Sequence, residues 1–250
     1  MHKNIGIRKE EDLILLLNSK TFGQLSNNGK YIIREIFNHI CETSIIKCEK
    51  VEEFIKPDFR ISVDNVIHYV SMKSGRSETV HQEYVKNFCL YLREQGISNR
   101  TLQTILLYQY GDGTLDGSGK ERMSYNRLRL LLTDRIKEAN EELNKDKEFV
   151  IRVIDRAVFK GTLSENQEAD YVYHGDADYG ILVSKTQLMK HCQRRDWKWM
   201  DNLHIGPIQL RPHARYIGKP IKRENSRQRL EFYWAKYSED LDYISKRYDG

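Results

Sequence analysis

The feature that most constrains what this chain can fold into is the stretch from Asp58 to Lys73, DFRISVDNVIHYVSMK. Its first part alternates strictly, with Phe59, Ile61 and Val63 on one side and Arg60 and Ser62 on the other. A period of two sends successive side chains to opposite faces of an extended backbone, so these residues predict a half-buried strand. Asp64-Asn65 is a turn signal. Val66 to Lys73 is β-branched and aromatic and reads as the return strand of a hairpin. Asp58 heads one strand and Lys73 ends the next. A hairpin brings such positions together, so both can face one cleft although they lie fifteen residues apart.

Other elements arrange themselves around this hairpin. Residues 8–18 predict a short helix with an apolar face. Asn27 and Asn28 are candidate caps for a second helix, roughly 29–42, in which Ile32, Ile33, Ile36, Phe37 and Ile40 recur at helical spacing. Residues 44–49 are short and β-rich. A helix is expected over 80–94, with Val80, Val85, Phe88, Cys89 and Leu92 inward. The order helix, strand, hairpin, helix opens an α/β sandwich. Residues 101–110 are ambiguous between helix and strand, and 111–119 form a loop. Helices are expected near 124–143, 145–160, 184–194 and 226–247, and short strands near 170–174 and 205–210. The predicted architecture is α/β, a mixed central sheet flanked by helices with a helix-rich middle. The expected division is a core over 1–110 and a helical, basic part over 111–250 packed on it.

An aspartate and a lysine at one end of a hairpin suit phosphodiester hydrolysis. That reaction is helped by a divalent cation that polarises the phosphoryl oxygen and activates water. Mg²⁺ is a hard ion that prefers carboxylate, carbonyl and water ligands. Asp58 supplies the carboxylate. Lys73 can orient the water or offset charge developing on phosphate. Ser71 lies two residues before Lys73, on the same strand face by alternation.

Pro57-Asp58 followed by Ser71-Met72-Lys73 resembles the motif of the PD-(D/E)xK nucleases, the superfamily of many type II restriction endonucleases. The chain departs from the motif at Ser71, where the pattern has an acid. Some members show a similar S-x-K and draw the missing carboxylate from the following helix. By that resemblance the second metal-ligand role goes to Glu83, near the start of the helix expected there, with Glu78 as its rival. A glutamate on the first core helix is also common in the superfamily, and Glu35 is the best placed for it, with Glu42 behind. Residues Gly75 to Glu83 also look like a G-x-x-x-S-V-H-Q-E run of uncharacterised restriction-like nucleases, with Thr79 in place of serine. The resemblance covers roughly residues 29–110. It implies a restriction-endonuclease-like fold and a Mg²⁺-dependent endonuclease acting on double-stranded DNA, site-specific and homodimeric. Asp58 and Glu83 would hold the metal, Lys73 would assist the nucleophile, and Ser71 and Glu35 would support them. Two other readings stay open: a DNA-binding module that does not cut, and a repair or defence nuclease with another nucleic-acid substrate. His81 is either a phosphate contact, a partner that orients Glu83, a helix cap or a packed polar residue.

Charge distribution bears on the partner. The net charge is +5, but Lys185 to Arg229 carries twelve basic residues against Asp196, Asp201 and Glu224, leaving −4 for the rest. Such asymmetry suits a surface facing a polyanion. Candidate DNA contacts are Arg194, Arg195, Arg211, Arg215, Lys222, Arg223 and Arg227, with Lys120 and Arg122 after the glycine-rich loop. Cys41, Cys48, Cys89 and Cys192 form no CxxC pair and read as reduced thiols. Residues 111–122 are not a calcium loop, because Met123 stands where a bidentate glutamate is required. Nor are they a phosphate loop, because Lys120 is followed by Glu121, so no nucleotide cofactor is expected. Asp176 and Asp178 beside His174 read as turn residues. No apolar run is long enough to span a membrane and no signal core follows Met1, so a cytoplasmic protein is expected.

Overall fold

The structure, a computed structural model, describes residues 5–51, 55–74, 78–119, 121–162, 167–195, 197, 202–213 and 224–248. Along the chain the elements begin α1 (Ile5–Leu17), β1 (Lys20–Thr21), α2 (Asn27–Ile36), β2 (Ile45–Lys50), β3 (Phe59–Val63), β4 (Val66–Lys73) and β5 (Thr79–Tyr84). A helical middle follows, α3 (Val85–Glu94), α4 (Asn99–Tyr110), α5 (Tyr125–Leu143) and α6 (Lys147–Asp155), the last continued by a π-helical turn at Arg156–Lys160. The remainder is β6 (Tyr171–Gly175), β7 (Gly180–Ser184), α7 (Lys185–Arg194), β8 (His204–Ile205), β9 (Ile208–Pro212), α8 (Glu224–Arg227), β10 (Arg229–Trp234) and α9 (Tyr237–Tyr248). Among the described residues no helix is long and apolar enough to cross a membrane.

The architecture is α/β, as expected, but the chain does not divide once near residue 110. One compact unit gathers Met1–Glu78, Asp155–Arg194 and Lys236–Gly250, and the other Thr79–Ile154 and Arg195–Ala235. The first unit holds a six-stranded mixed sheet in the order β1-β2-β3-β4-β6-β7. Its neighbours are antiparallel except β4 and β6, which run parallel. The central hairpin is the one the alternation predicts. Asp64 and Asn65 both adopt left-handed backbone, φ 47° and 69°. Positive φ at both central residues is the condition of the two-residue turn whose twist matches the strands it joins. Phe59, Ile61, Val63, Val70 and Met72 are buried with Leu13 and Leu17 of α1, and with Ile32, Ile33 and Ile36 of α2. Helices α7 and α9 lie against β7. Helix α2 stops at Ile36 rather than 42, and its cap is Ser26, whose Oγ accepts from Gly29 N at 3.2 Å. Asn28 serves packing instead and donates to the Tyr173 hydroxyl at 2.9 Å.

The second unit carries an antiparallel sheet, β5-β10-β9-β8. Two expectations fail here for one reason. The helix expected over 80–94 begins only at Val85, and Thr79–Tyr84 is a strand. The helix expected over 226–247 is a four-residue turn, strand β10, and then α9. Leu230, Phe232 and Trp234 are buried at every second position, a strand period, and β10 pairs on both sides with β5 and β9. Both strands are selected by neighbours far away in sequence, which local periodicity does not register. The ambiguous residues 101–110 are helical and end at Gly111, which takes the left-handed C-cap conformation.

Candidate active site

The open end of the β3–β4 hairpin gathers the charged groups. Asp58 precedes the first paired residue of β3, and its backbone is held on both sides. Its N–H donates to Val70 O at 2.9 Å, and its carbonyl accepts from Val51 N at 3.1 Å. The side chain turns onto β4, where Oδ2 accepts from Met72 N at 2.5 Å and from Ser71 Oγ at 3.2 Å. Ser71 is 2% exposed, so this hydroxyl has little access to water and serves to orient the carboxylate. Lys73 closes β4 two residues on, and the parallel register sets His174 of β6 beside it.

Two residues that the sequence reading passed over complete the cluster. Glu10, on α1, is partly buried beside Asp58. Burial pushes its carboxyl pKa up, and the charge of Asp58 adds to that, while Lys50 opposes it. Glu10 Oε1 is sealed from solvent, and Lys50 Nζ pairs with it at 3.2 Å. Lys56 precedes Pro57. Its ammonium is enclosed although the residue as a whole is partly exposed, and it donates to Ala157 O, in the π-helical turn, at 2.6 Å. Burial lowers its pKa well below the usual lysine value, the Lys73 charge lowers it further, and Asp58 opposes. The site therefore holds two carboxylates that repel each other among Lys50, Lys56 and Lys73. Glu10 was legible in one respect: it falls at i−3 and i−7 from Leu13 and Leu17, an acid on the buried face of its helix.

The donor set discriminates among metals. No group of three His, Cys, Asp or Glu side chains that could hold an ion occurs among the described residues. A structural zinc site needs four such ligands and a catalytic one three. Mg²⁺ is commonly held by one or two carboxylates plus water and substrate phosphate. The two carboxylates of Glu10 and Asp58 fit the second pattern.

No protein-family model matches the chain, and no curated protein matches it. Among solved structures the chain is similar to the restriction endonuclease MspI in complex with its cognate DNA, at 12% sequence identity and a TM-score of 0.47. That similarity covers 91% of this chain and 88% of that one. A likeness at this level leaves the chemistry to the residues themselves.

Each of the other expected site residues sits within its own unit. Glu35 is exposed on α2, and its charge acts on Tyr171. Glu42 is exposed after α2, its carbonyl accepting from Gly23 N. Glu78 accepts from Tyr237 N at 2.6 Å and Ser238 Oγ at 3.2 Å, where it serves the first turn of α9. Glu83 lies on β5, in a strand and not a helix, on the buried face of the second unit's sheet with His81 Nε2 3.7 Å away. His81 packs on Phe232 at a ring distance of 5.2 Å. Asp176 is a turn residue, accepting from Asp178 N and Tyr179 N and pairing with Lys9 at 3.0 Å.

The basic candidates divide sharply. Arg122 is buried and donates to Tyr108 O at 3.1 Å. Arg227 pairs with Asp112, whose side chain is fully buried. Arg194 and Arg195 are exposed, and Arg195 lies over the Trp197 ring at 4.6 Å. Arg211 is half-buried on β9 over the Tyr233 ring. Lys120, Arg215, Lys222 and Arg223 lie outside the described residues.

Proposed function

We propose that the chain is a Mg²⁺-dependent endonuclease that hydrolyses phosphodiester bonds of double-stranded DNA, with Glu10 and Asp58 as its metal-holding carboxylates. The observation that carries this reading is the Asp58 carboxylate fixed by Ser71 Oγ and Met72 N at the hairpin end where Lys73 stands, with Glu10 near enough to feel its charge. Two neighbouring carboxylates are costly to ionise together, and a divalent ion relieves the cost. Bound there, Mg²⁺ would polarise a phosphoryl oxygen and lower the pKa of a water ligand. Ser71 Oγ and Met72 N hold the Asp58 carboxylate in one orientation. Lys73 is placed to steady the attacking water and offset negative charge developing on phosphate. Lys50 and Lys73 beside the acids favour approach of a phosphate. Site-specific cutting of palindromes by a homodimer is the finer form of the proposal, because protein symmetry mirrors site symmetry.

The test is cleavage of unmethylated plasmid and phage DNA with Mg²⁺, comparing wild type with Asp58→Ala, Glu10→Gln and Glu83→Gln. Discrete bands that vanish in the first two variants and persist in the third are the expected result. Persistence in Glu10→Gln with loss in Glu83→Gln would return the second carboxylate to Glu83. Intact duplex with every protein, while binding persists, would reduce the chain to a DNA-binding module.

A further inference from the structure

The second unit's sheet presents a polar face opposite its buried one. Across three strands the register aligns Gln82 of β5, Glu231 of β10 and Arg211 of β9. Next to that row, Tyr233 pairs with Gln209, and Arg229 with Tyr84. Arg211 is the most strongly positioned group here. Its guanidinium carbon sits 3.3 Å from the Tyr233 ring centroid, and its Nε and Nη2 donate to Gln209 Oε1 at 3.0 and 2.5 Å. Gln209 is itself buried, so Arg211 is oriented by a fixed partner. Glu231 accepts from Gln82 Nε2 at 3.4 Å and lies 2.7 Å from His213 Nδ1.

We infer that this row reads base edges in the major groove of duplex DNA, with Arg211 taking a guanine and Glu231 a cytosine amino group. The inference rests on the proposal above that duplex DNA is the substrate. Three features favour base edges over other nucleic-acid contacts. A carboxylate in the middle of the row repels a phosphate backbone, whereas the major-groove edge offers donors and acceptors together. Arg229 lies over Tyr84 and Arg211 over Tyr233, so both rings already carry a guanidinium where an unpaired base would stack. A planar guanidinium held by an aromatic ring and an amide keeps its fork in one orientation, and arginine binds guanine O6 and N7 through such a fork. Antiparallel strands are an established shape for groove entry.

Selection from a random duplex pool, with metal chelated to prevent cutting, tests this on the full chain. Wild type, Arg211→Lys and Glu231→Gln are compared, with melting curves to confirm folding. The expected wild-type site contains a G·C pair at a fixed position. Arg211→Lys lowers the guanine preference there by about 5- to 150-fold, the span a bidentate contact carries, and leaves the salt slope on a fixed duplex unchanged. Glu231→Gln relaxes the cytosine at the same or the adjoining pair. A site with full guanine preference in Arg211→Lys overturns the inference. So does a wild type that binds duplexes without preference, an outcome that leaves the proposed nuclease intact. Absence of both duplex binding and Mg²⁺-dependent cleavage removes the two together.

Discussion

Glu10→Gln distinguishes a metal ligand from a structural residue, because the roles predict opposite signs. Burial and the Asp58 charge raise the Glu10 pKa in the folded protein. A carboxyl with a raised folded pKa binds protons more readily folded than unfolded, so stability falls as pH rises through that raised value. Near neutral pH the ionised group therefore costs the metal-free protein stability. The neutral isostere removes that cost, and the melting temperature without metal should rise. Mg²⁺ reverses the comparison. For a site with a Kd of about 1 mM, about 10 mM Mg²⁺ stabilises the wild type by about 1.4 kcal/mol. In a chain of this size that is about 3–6 °C. Losing one of two carboxylates should weaken the site by at least the about 10- to 100-fold that loss of an outer-shell partner costs. The gain then falls to about 0.4 kcal/mol or less, about 1–2 °C. Thermal melts with and without Mg²⁺, each run with an ionic-strength control, read both effects. A Glu10→Gln protein that melts lower without metal, yet keeps the full Mg²⁺ shift, would refute the assignment.

Glu78→Ala removes the acceptor at the first turn of α9 and should cost about 1 kcal/mol, as lost caps do. Its Mg²⁺ shift should equal that of wild type, and a lost shift would restore Glu78 as a metal ligand. Ser71→Ala deletes the hydroxyl bond to Asp58, at a cost of about 0.5–1.5 kcal/mol in urea unfolding. Cleavage should slow without disappearing, and complete loss would make Ser71 more than a brace. Asn65→Gly relieves a left-handed non-glycine residue in the β3–β4 turn and should raise stability by a few tenths to about 1 kcal/mol. A loss would mean that the Asn65 side chain holds the turn. Lys56→Met bears on pH. The folded pKa of Lys56 is lowered, so the unfolded chain binds more protons, and wild-type stability should rise with pH between that lowered value and the usual 10.5. The variant should show a flatter profile over the same range, and equal slopes would contradict the burial of this ammonium.

The hairpin was legible because its evidence is local. Alternation at Phe59, Ile61 and Val63 and the Asp64-Asn65 turn are short-range facts, and the register that joins Asp58 to Ser71 follows from them. Glu10, the second acid of the proposed site, was not, because its place depends on which helix packs at the hairpin's end. Motif spacing directs attention to Glu83 and Glu35, while α1, through Leu13 and Leu17 in the core, brings Glu10 within reach of the Asp58 charge. The arginines show the same limit from another side. Composition counts Arg227 and Arg194 alike, yet one is tied to buried Asp112 and the other is exposed. Charge totals describe a region; partners decide which members of it reach a ligand.

Serine in place of the motif's acid changes how the site must operate. A carboxylate at Ser71 would add a third negative charge beside Asp58 and Glu10, whose pKa is already raised by burial and by the Asp58 charge. With serine, Glu10 and Asp58 are the acids of the cluster, set among Lys50, Lys73 and the buried Lys56, whose pKa is lowered. Such a site holds a divalent ion weakly alone and better when the phosphate contributes its own oxygens. On the proposed reading, metal and DNA therefore bind with positive coupling, and the coupling is reciprocal: each raises the affinity for the other by the same factor. On that reading, the serine that weakens the resemblance to a two-acid motif would tie metal capture to the presence of substrate.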